Sequence, residues 1–215
     1  MPSEPQFHRL FIALAVPAGV KSEIQKVQNE LVELLPKNAV RWTHSEHFHL
    51  TLRFLGNVAA GRTHELIEKL RAGCDGFLPL RLRAECIGFF PERGYPRVLW
   101  IAVIDKTQQL ARFQKAVQDA ALEFTAEAPE KAFTGHITLG RAKQVRRKEA
   151  DTLANFAGRK SRQVFGEWIA SGVELLRSDL LPDGARHTVL TTIPLGGIQI
   201  DEITSNHIYM SRTKR

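Results

Sequence analysis

Cysteine is nearly missing from this chain. Of 215 residues only Cys74 and Cys86 carry a thiol, and they do not form a C-x-x-C pair. That argues against a disulfide framework and a Cys-based zinc site, and it fits a reducing, cytoplasmic setting. Long apolar runs are missing too. The segment "LFIALAVPA" (10–18) falls far short of the roughly 20 residues that span a bilayer. It does not read as a signal peptide, because Glu4 precedes it and Arg9 is the only Lys or Arg ahead of it. No membrane partner is therefore expected. No linker rich in Pro, Gly or Ser divides the chain, so 1–215 reads as one unit. Acidic residues are in deficit: 23 Asp and Glu face 30 Lys and Arg, for a net charge of +7 and a pI of about 9.7. Such a balance favours anionic partners such as nucleic acid or phosphorylated small molecules, and is silent about fold.

What is present has a repeating order. Residues 10–16 read as a buried strand stopped by Pro17. Apolar residues at Val20, Ile24, Val27, Leu31 and Leu34 recur at helical spacing. A short strand follows at 40–42, then a strand beginning near His47, then a helix over 63–72. Alternation predicts a long strand over 78–90, a Pro/Gly turn over 91–97 and a buried strand over 98–104. The order then starts again: a helix over 108–124, a second His-containing strand and a helix over 146–156. "VELLRSDL" and "RHTVLTTIPL" flank "LPDGA", where Asp183-Gly184 signals a hairpin. The tail 196–215 reads as a segment that frays. The expected architecture is α+β: two pseudo-symmetric lobes, each an antiparallel sheet with helices, around a central cleft.

Each half contains the same short pattern. "HFHLTLRFLG" runs over 47–56 and "GHITLGR" over 135–141. Residues two apart on a strand share a face. Alternation thus groups His47, His49, Thr51 and Arg53 on one face, with Phe48, Leu50, Leu52 and Phe54 behind. It groups His136 with Thr138, and puts Arg141 on the other face unless the chain turns at Gly140. A single His-x-Thr in a strand is unremarkable, and Thr is a good strand former in any case. Two copies opening equivalent strands are much harder to explain by packing.

If the two faces meet, the site holds two imidazoles and two hydroxyls, with no Ser or Cys nucleophile between them. One neutral ring can take a proton from water while a charged ring gives one to a leaving oxygen. The hydroxyls can donate to non-bridging phosphate oxygens. An anionic phosphodiester in a basic cleft fits, and Arg53 and Arg141 are candidates to add charge beside it. Metal binding is the competing reading, because His44, His47 and His49 crowd beside Glu46. No recognised zinc spacing is present, however, and we expect neither metal nor cofactor. His8, His64, His187 and His207 show no partners in the sequence.

With both motifs in view, the chain resembles the two-histidine (2H) phosphoesterase superfamily, and within it the RNA 2′,3′-cyclic phosphodiesterase family, historically called 2′-5′ RNA ligases. The resemblance runs over about 9–190. It rests on "RLFIALAVP", "HLTLRFLG", "RVLW", "GHITLGR" and "ELLRSDLLPDGARHTVL". It implies a two-lobed fold around a groove and metal-free opening of an RNA 2′,3′-cyclic phosphate to a 2′-phosphate. His49 then corresponds to the proton donor to the 3′ oxygen and His136 to the base that activates water. Thr51, Thr138 and Arg141 correspond to phosphate-binding positions. The chain departs from the family pattern at Gly135, where Pro is frequent, and at Leu176 and His187, where aromatics are frequent.

Three functions stand in competition. The first is a metal-independent cyclic phosphodiesterase acting, as a monomer, on RNA ends or small nucleotides. The second is a 2′-5′ RNA ligase or small cyclic-nucleotide phosphodiesterase using the same site. The third is a non-catalytic RNA-end-binding domain. For an RNA end, "RAKQVRRKE" (141–149) and the turn with Arg93 and Arg97 are candidate basic rims, while alternation makes Phe48 and Phe54 poor stacking surfaces.

Overall fold

The computed structural model describes residues 6–129, 132–181 and 184–196. Among these, nine strands form one sheet, and every ladder in it is antiparallel. Strand β1 (Phe7–Ala15) leads to helix α1 (Ala18–Leu34), β2 (Val40–Trp42) and, after a 3-10 turn at Ser45–His47, β3 (His49–Ala59). Helix α2 (Thr63–Cys74) precedes β4 (Leu80–Phe90) and β5 (Val98–Ile104). Helix α3 (Gln109–Ala120) precedes β6 (His136–Ala142), and α4 (Arg147–Arg159) precedes β7 (Val164–Ala170), β8 (Gly172–Leu181) and β9 (Gly184–Pro194). Strand β7 has no counterpart in the sequence reading. The expected hairpin turn lies outside the described residues, although the strands beside it pair up to Leu181↔Gly184. Positions 197–215, including His207, also lie outside.

The order β7-β4-β5-β6-β3-β1-β8-β9 puts the two His-x-Thr strands side by side at the centre. Outward from β3 run β1, β8 and β9; outward from β6 run β5, β4 and β7. The expected two-lobed α+β architecture is present, but neither lobe is a continuous stretch of sequence. After the first motif the chain crosses to supply β4 to the second lobe. After the second it crosses back to supply β8 and β9 to the first. Each lobe therefore depends on chain from both halves of the sequence.

The main core lies behind the sheet. Leu10, Ile12 and Leu14 of β1 and Leu50 and Leu52 of β3 meet Ile24, Val27 and Leu31 of α1 and Phe113 and Val117 of α3 in one buried cluster. These are the residues that helical and strand periodicity assign to the interior. A smaller cluster of Phe11, Ala13 and Leu176 lies on the opposite face of β1 and β8. That second cluster forms the floor of the cleft.

Candidate active site

Strands β3 and β6 touch through one residue pair, Leu50↔Ile137, both fully buried. Continuing that antiparallel register by one residue each way sets His49 opposite Thr138 and Thr51 opposite His136. Because neighbours on a strand alternate faces, all four side chains leave the sheet on the side away from Leu50 and Ile137. Each imidazole thus stands beside the hydroxyl of its own strand and the hydroxyl of the facing strand. Among the described residues neither Thr hydroxyl has a hydrogen-bond partner, so both remain available to a ligand.

One imidazole is fixed by a carbonyl two residues earlier, and the other is influenced by the backbone at the same offset. His136 Nδ1 lies 2.8 Å from the Thr134 carbonyl oxygen, and the backbone of His47 favours the charged form of His49 against the larger effect of burial. A carbonyl only accepts, so Nδ1 of His136 carries the hydrogen and Nε2 keeps its lone pair. The surroundings of the two rings differ. His136 is enclosed by Phe90, edge-on at 5.2 Å between centroids, and Trp100 at 6.1 Å. Trp100 can lie there because residue 88 is Gly; a Cβ at that position would sit 2.1 Å from the indole. His49 has Phe11 at 5.0 Å and a second imidazole, His187, at 5.7 Å. His187 also meets Phe11 at 4.9 Å and His47 at 4.7 Å, and its Nδ1 is buried without a partner. Burial above all, then His187, lowers His49 to about 4. Burial and His47 lower His187 as well.

Strand alternation fails at the same place in both motifs. In β3 the register steps from Ala13↔Thr51 to Ile12↔Arg53, leaving Leu52 as an extra residue. In β6 it steps from Trp100↔Thr138 to Leu99↔Gly140, leaving Leu139 as an extra residue. Each is a β-bulge, and each reverses the facing of the residues beyond it. Arg53 is therefore paired with core-facing Ile12, is 2% exposed, and donates to the carbonyls of Glu127 and Ala128. It does not stand beside Thr51, contrary to the sequence reading. Phe54 instead pairs with Phe11 on the cleft face and is 48% exposed, so its assignment to the core is also corrected. In β6 the same device brings Arg141 onto the cleft face beside Val98, which answers how it can reach the site. Phe54 and Arg141 occupy equivalent positions, five residues after His49 and His136. One lobe presents an aromatic ring there and the other a guanidinium.

The bulges are held by buried glutamines, each from the helix of the other half. Gln28 of α1 donates to the carbonyl of Leu139 at 2.8 Å and to that of Thr43 at 2.8 Å. Gln114 of α3 donates to the carbonyl of Leu52 at 3.2 Å. The Leu139 carbonyl also accepts from the Thr43 N–H at 2.9 Å, so Gln28 is its second donor, and both amides brace backbone that the bulges displace from the regular ladder.

His47 closes the 3-10 turn ahead of β3 and is not part of the strand. His187 was given no partner in sequence because its neighbours belong to β1, β3 and the 3-10 turn, far away along the chain. Glu174 was missed for the same reason. It pairs with Ala13, in line with Thr51, and burial raises its carboxyl while Lys21 opposes the rise. Among the described residues no group of three or more His, Cys, Asp or Glu side chains is arranged to hold a metal ion, and no helix is long and apolar enough to cross a membrane.

The sequence model of the LigT-like phosphoesterases matches this chain over residues 14–100 and again over 102–186. The chain is 30% identical to the RNA 2′,3′-cyclic phosphodiesterase of Aquifex aeolicus, over 88% of its own length and 98% of that protein. It is 31% identical to the protein of the same name from Archaeoglobus fulgidus, over 82% and 94%. Among solved structures, TT0787 of Thermus thermophilus superposes with a TM-score of 0.70 at 27% identity, covering 88% of this chain and 98% of that one. The E. coli LigT complex with 3′-AMP shares the fold, with a TM-score of 0.68 at 23% identity over 88% and 99%. Each of the two matched segments carries one His-x-Thr strand, and together they take in most of the sequence: the chain belongs to the LigT-like phosphoesterase family.

Proposed function

We propose that the protein opens 2′,3′-cyclic phosphates at RNA ends to 2′-phosphates, without metal, with His49 and His136 as acid and base. The observation that carries this reading is the single Leu50↔Ile137 pair, which gathers two imidazoles and two unpartnered hydroxyls on one face. Relatives named RNA 2′,3′-cyclic phosphodiesterase, aligned over most of the chain, support the substrate.

His136 suits the base. Its Nδ1 is occupied by the Thr134 carbonyl, which leaves Nε2 to accept a proton from the attacking water. Thr51, Thr138 and Arg141 serve the phosphate oxygens, on which charge builds as the ring opens. His49 must carry a proton to protect the departing 3′ oxygen, yet burial and its imidazole neighbours hold it neutral in the free protein. The phosphodiester brings the charge that reverses this. A bound anion beside the ring favours the imidazolium, so His49 becomes an acid in the complex. The buried, crowded ring is then a strong donor, because its proton is held only while the anion is present.

The decisive test is product analysis on a short RNA ending in a 2′,3′-cyclic phosphate. The expected product is a 2′-phosphate resistant to a 3′-specific phosphatase, formed at an undiminished rate after exhaustive dialysis against a chelator. Activity lost on dialysis and restored by zinc or manganese would replace this mechanism with a metal-assisted one. Binding without turnover would leave an RNA-end-binding domain.

A further inference from the structure

Beside the two histidines lies a pair of cations, of which the reaction at the terminal phosphate accounts for Arg141 and not for Arg41. The β6 edge that meets β3 at Ile137 is taken over by β2 from Gly140 to Ala142, and this sets Arg41 directly opposite Arg141. Val40 and Trp42 pack towards the core, with Gly140 between them, since a Cβ there would stand 2.6 Å from Val40. Arg41 and Arg141 therefore leave the sheet together on the cleft side. Both are exposed. Among the described residues neither has a hydrogen bond, an ion pair or an aromatic partner. Like charges directly opposed across a ladder destabilise it, and neither side chain fills core space in return. The pair stands one side-chain repeat beyond Thr138, roughly 7 Å along the strand.

We propose that Arg41 and Arg141 together form a second anion subsite, which takes the phosphodiester preceding the terminal nucleotide of an RNA chain. The inference rests on the proposed function and names its substrate more closely: an oligonucleotide end in preference to a cyclic mononucleotide. Two planar guanidiniums side by side offer paired donors to one phosphate and relieve their own repulsion by binding it. Arg141 borders both subsites, whereas Arg41 serves only the outer one. Gln28 keeps the geometry, because its amide ties Thr43, at the end of β2, to Leu139 of the β6 bulge.

The test compares a 2′,3′-cyclic mononucleotide with a short RNA carrying the same cyclic end. Arg41→Gln is expected to lower the ratio of kcat/KM for the RNA over that for the mononucleotide by about tenfold. It should also reduce the log–log salt slope for the RNA by about 0.7, one single-strand phosphate. Arg41→Lys, which keeps the charge and loses the fork, should fall between. A ratio unchanged in Arg41→Gln at wild-type thermal stability would overturn the proposal. So would equal losses on both substrates, which would assign Arg41 to the reacting phosphate or to the fold. A binding arm keeps the subsite testable if the protein turns over neither substrate. Titration with an RNA ending in a 2′-phosphate, against the corresponding nucleoside 2′-phosphate, should show the chain-length advantage shrinking in Arg41→Gln. Absence of turnover with that advantage intact in the wild type would count against the proposed activity alone.

Discussion

At the scale of the residue, the two motif histidines have unequal neighbours. Aromatic carbon surrounds His136, while His49 shares its corner with His47 and His187. Each His→Ala change should cost on the order of 10²–10⁴-fold in kcat. The double variant should lose much less than the product of the two, since acid and base act in one step. Steady-state kinetics on a cyclic-ended RNA measures both, and near-normal turnover in either single variant would remove that ring from the chemistry. His187 is expected to matter through His49. After burial, His187 is the largest cause that lowers His49, so the titration of His49 depends on the ring beside it. His187→Phe keeps the contact with Phe11 and removes one competitor. The limb of the kcat/KM profile that reports His49 should then move to higher pH, in step with the His49 titration followed by NMR. A profile superimposable on the wild type would mean that His187 only fills space.

At the scale of the element, the bulges decide which side chains reach the cleft face. Gln28→Leu removes the side-chain amide that bonds both the Leu139 and Thr43 carbonyls, leaves the Thr43 N–H on Leu139, and does not shrink the core much. If Gln28 acts by aiming Arg141, the loss in kcat/KM should resemble that of Arg141→Gln. Combining the two should add little further loss, whereas losses that multiply would indicate an unrelated structural effect. Gln28→Glu is no substitute, because a carboxylate cannot donate to the carbonyl. The other strand offers a sharper contrast. Phe54→Ala removes an exposed ring from the cleft wall and leaves the bulge intact, so stability should change little while KM for cyclic-ended RNA rises several-fold, as base–aromatic stacking is worth about 1–3 kcal/mol. A KM equal to that of the wild type would show that the base stacks elsewhere.

At the scale of the whole molecule, the site ties stability to pH. The usual His value is 6.5 and His49 in the folded protein lies at about 4. Between those limits the unfolded chain holds the proton and the folded chain does not. Stability therefore falls as pH drops from 6.5 towards 4, by on the order of 2–3 kcal/mol from this group, and is independent of it above 6.5. Thermal melts of wild type and His49→Phe across pH 4–8 should show wild type losing stability relative to the variant as pH falls below 6.5, because the variant lacks that proton linkage. Parallel curves would mean that His49 is not held neutral by the fold. The sheet order also explains why both lobes are needed: β4 comes from the first half of the chain and β8 and β9 from the second, so neither half can complete its own sheet.

Much of this was legible in the sequence. The His-x-Thr repeat, the core faces of α1 and α3 and the order of nearly all elements follow from periodicities of 2 and 3.6, which are local properties of the chain. Strand β7 was not, since "VFGEWIA" mixes polar and apolar residues without a clean alternation. The positions of Arg53, Phe54 and Arg141 were not either. Alternation assumes an unbroken ladder, and whether a strand carries an extra residue depends on its partner: β1 for β3, β5 for β6, with buried amides from α3 and α1 to brace the displaced backbone. The clustering of His187, Glu174 and Arg41 around the motifs was likewise decided only in three dimensions. Sequence determined which groups the chemistry has available. Strand pairing decided which of them share a face, because a face belongs to a sheet and a sheet is assembled from segments that sequence keeps apart.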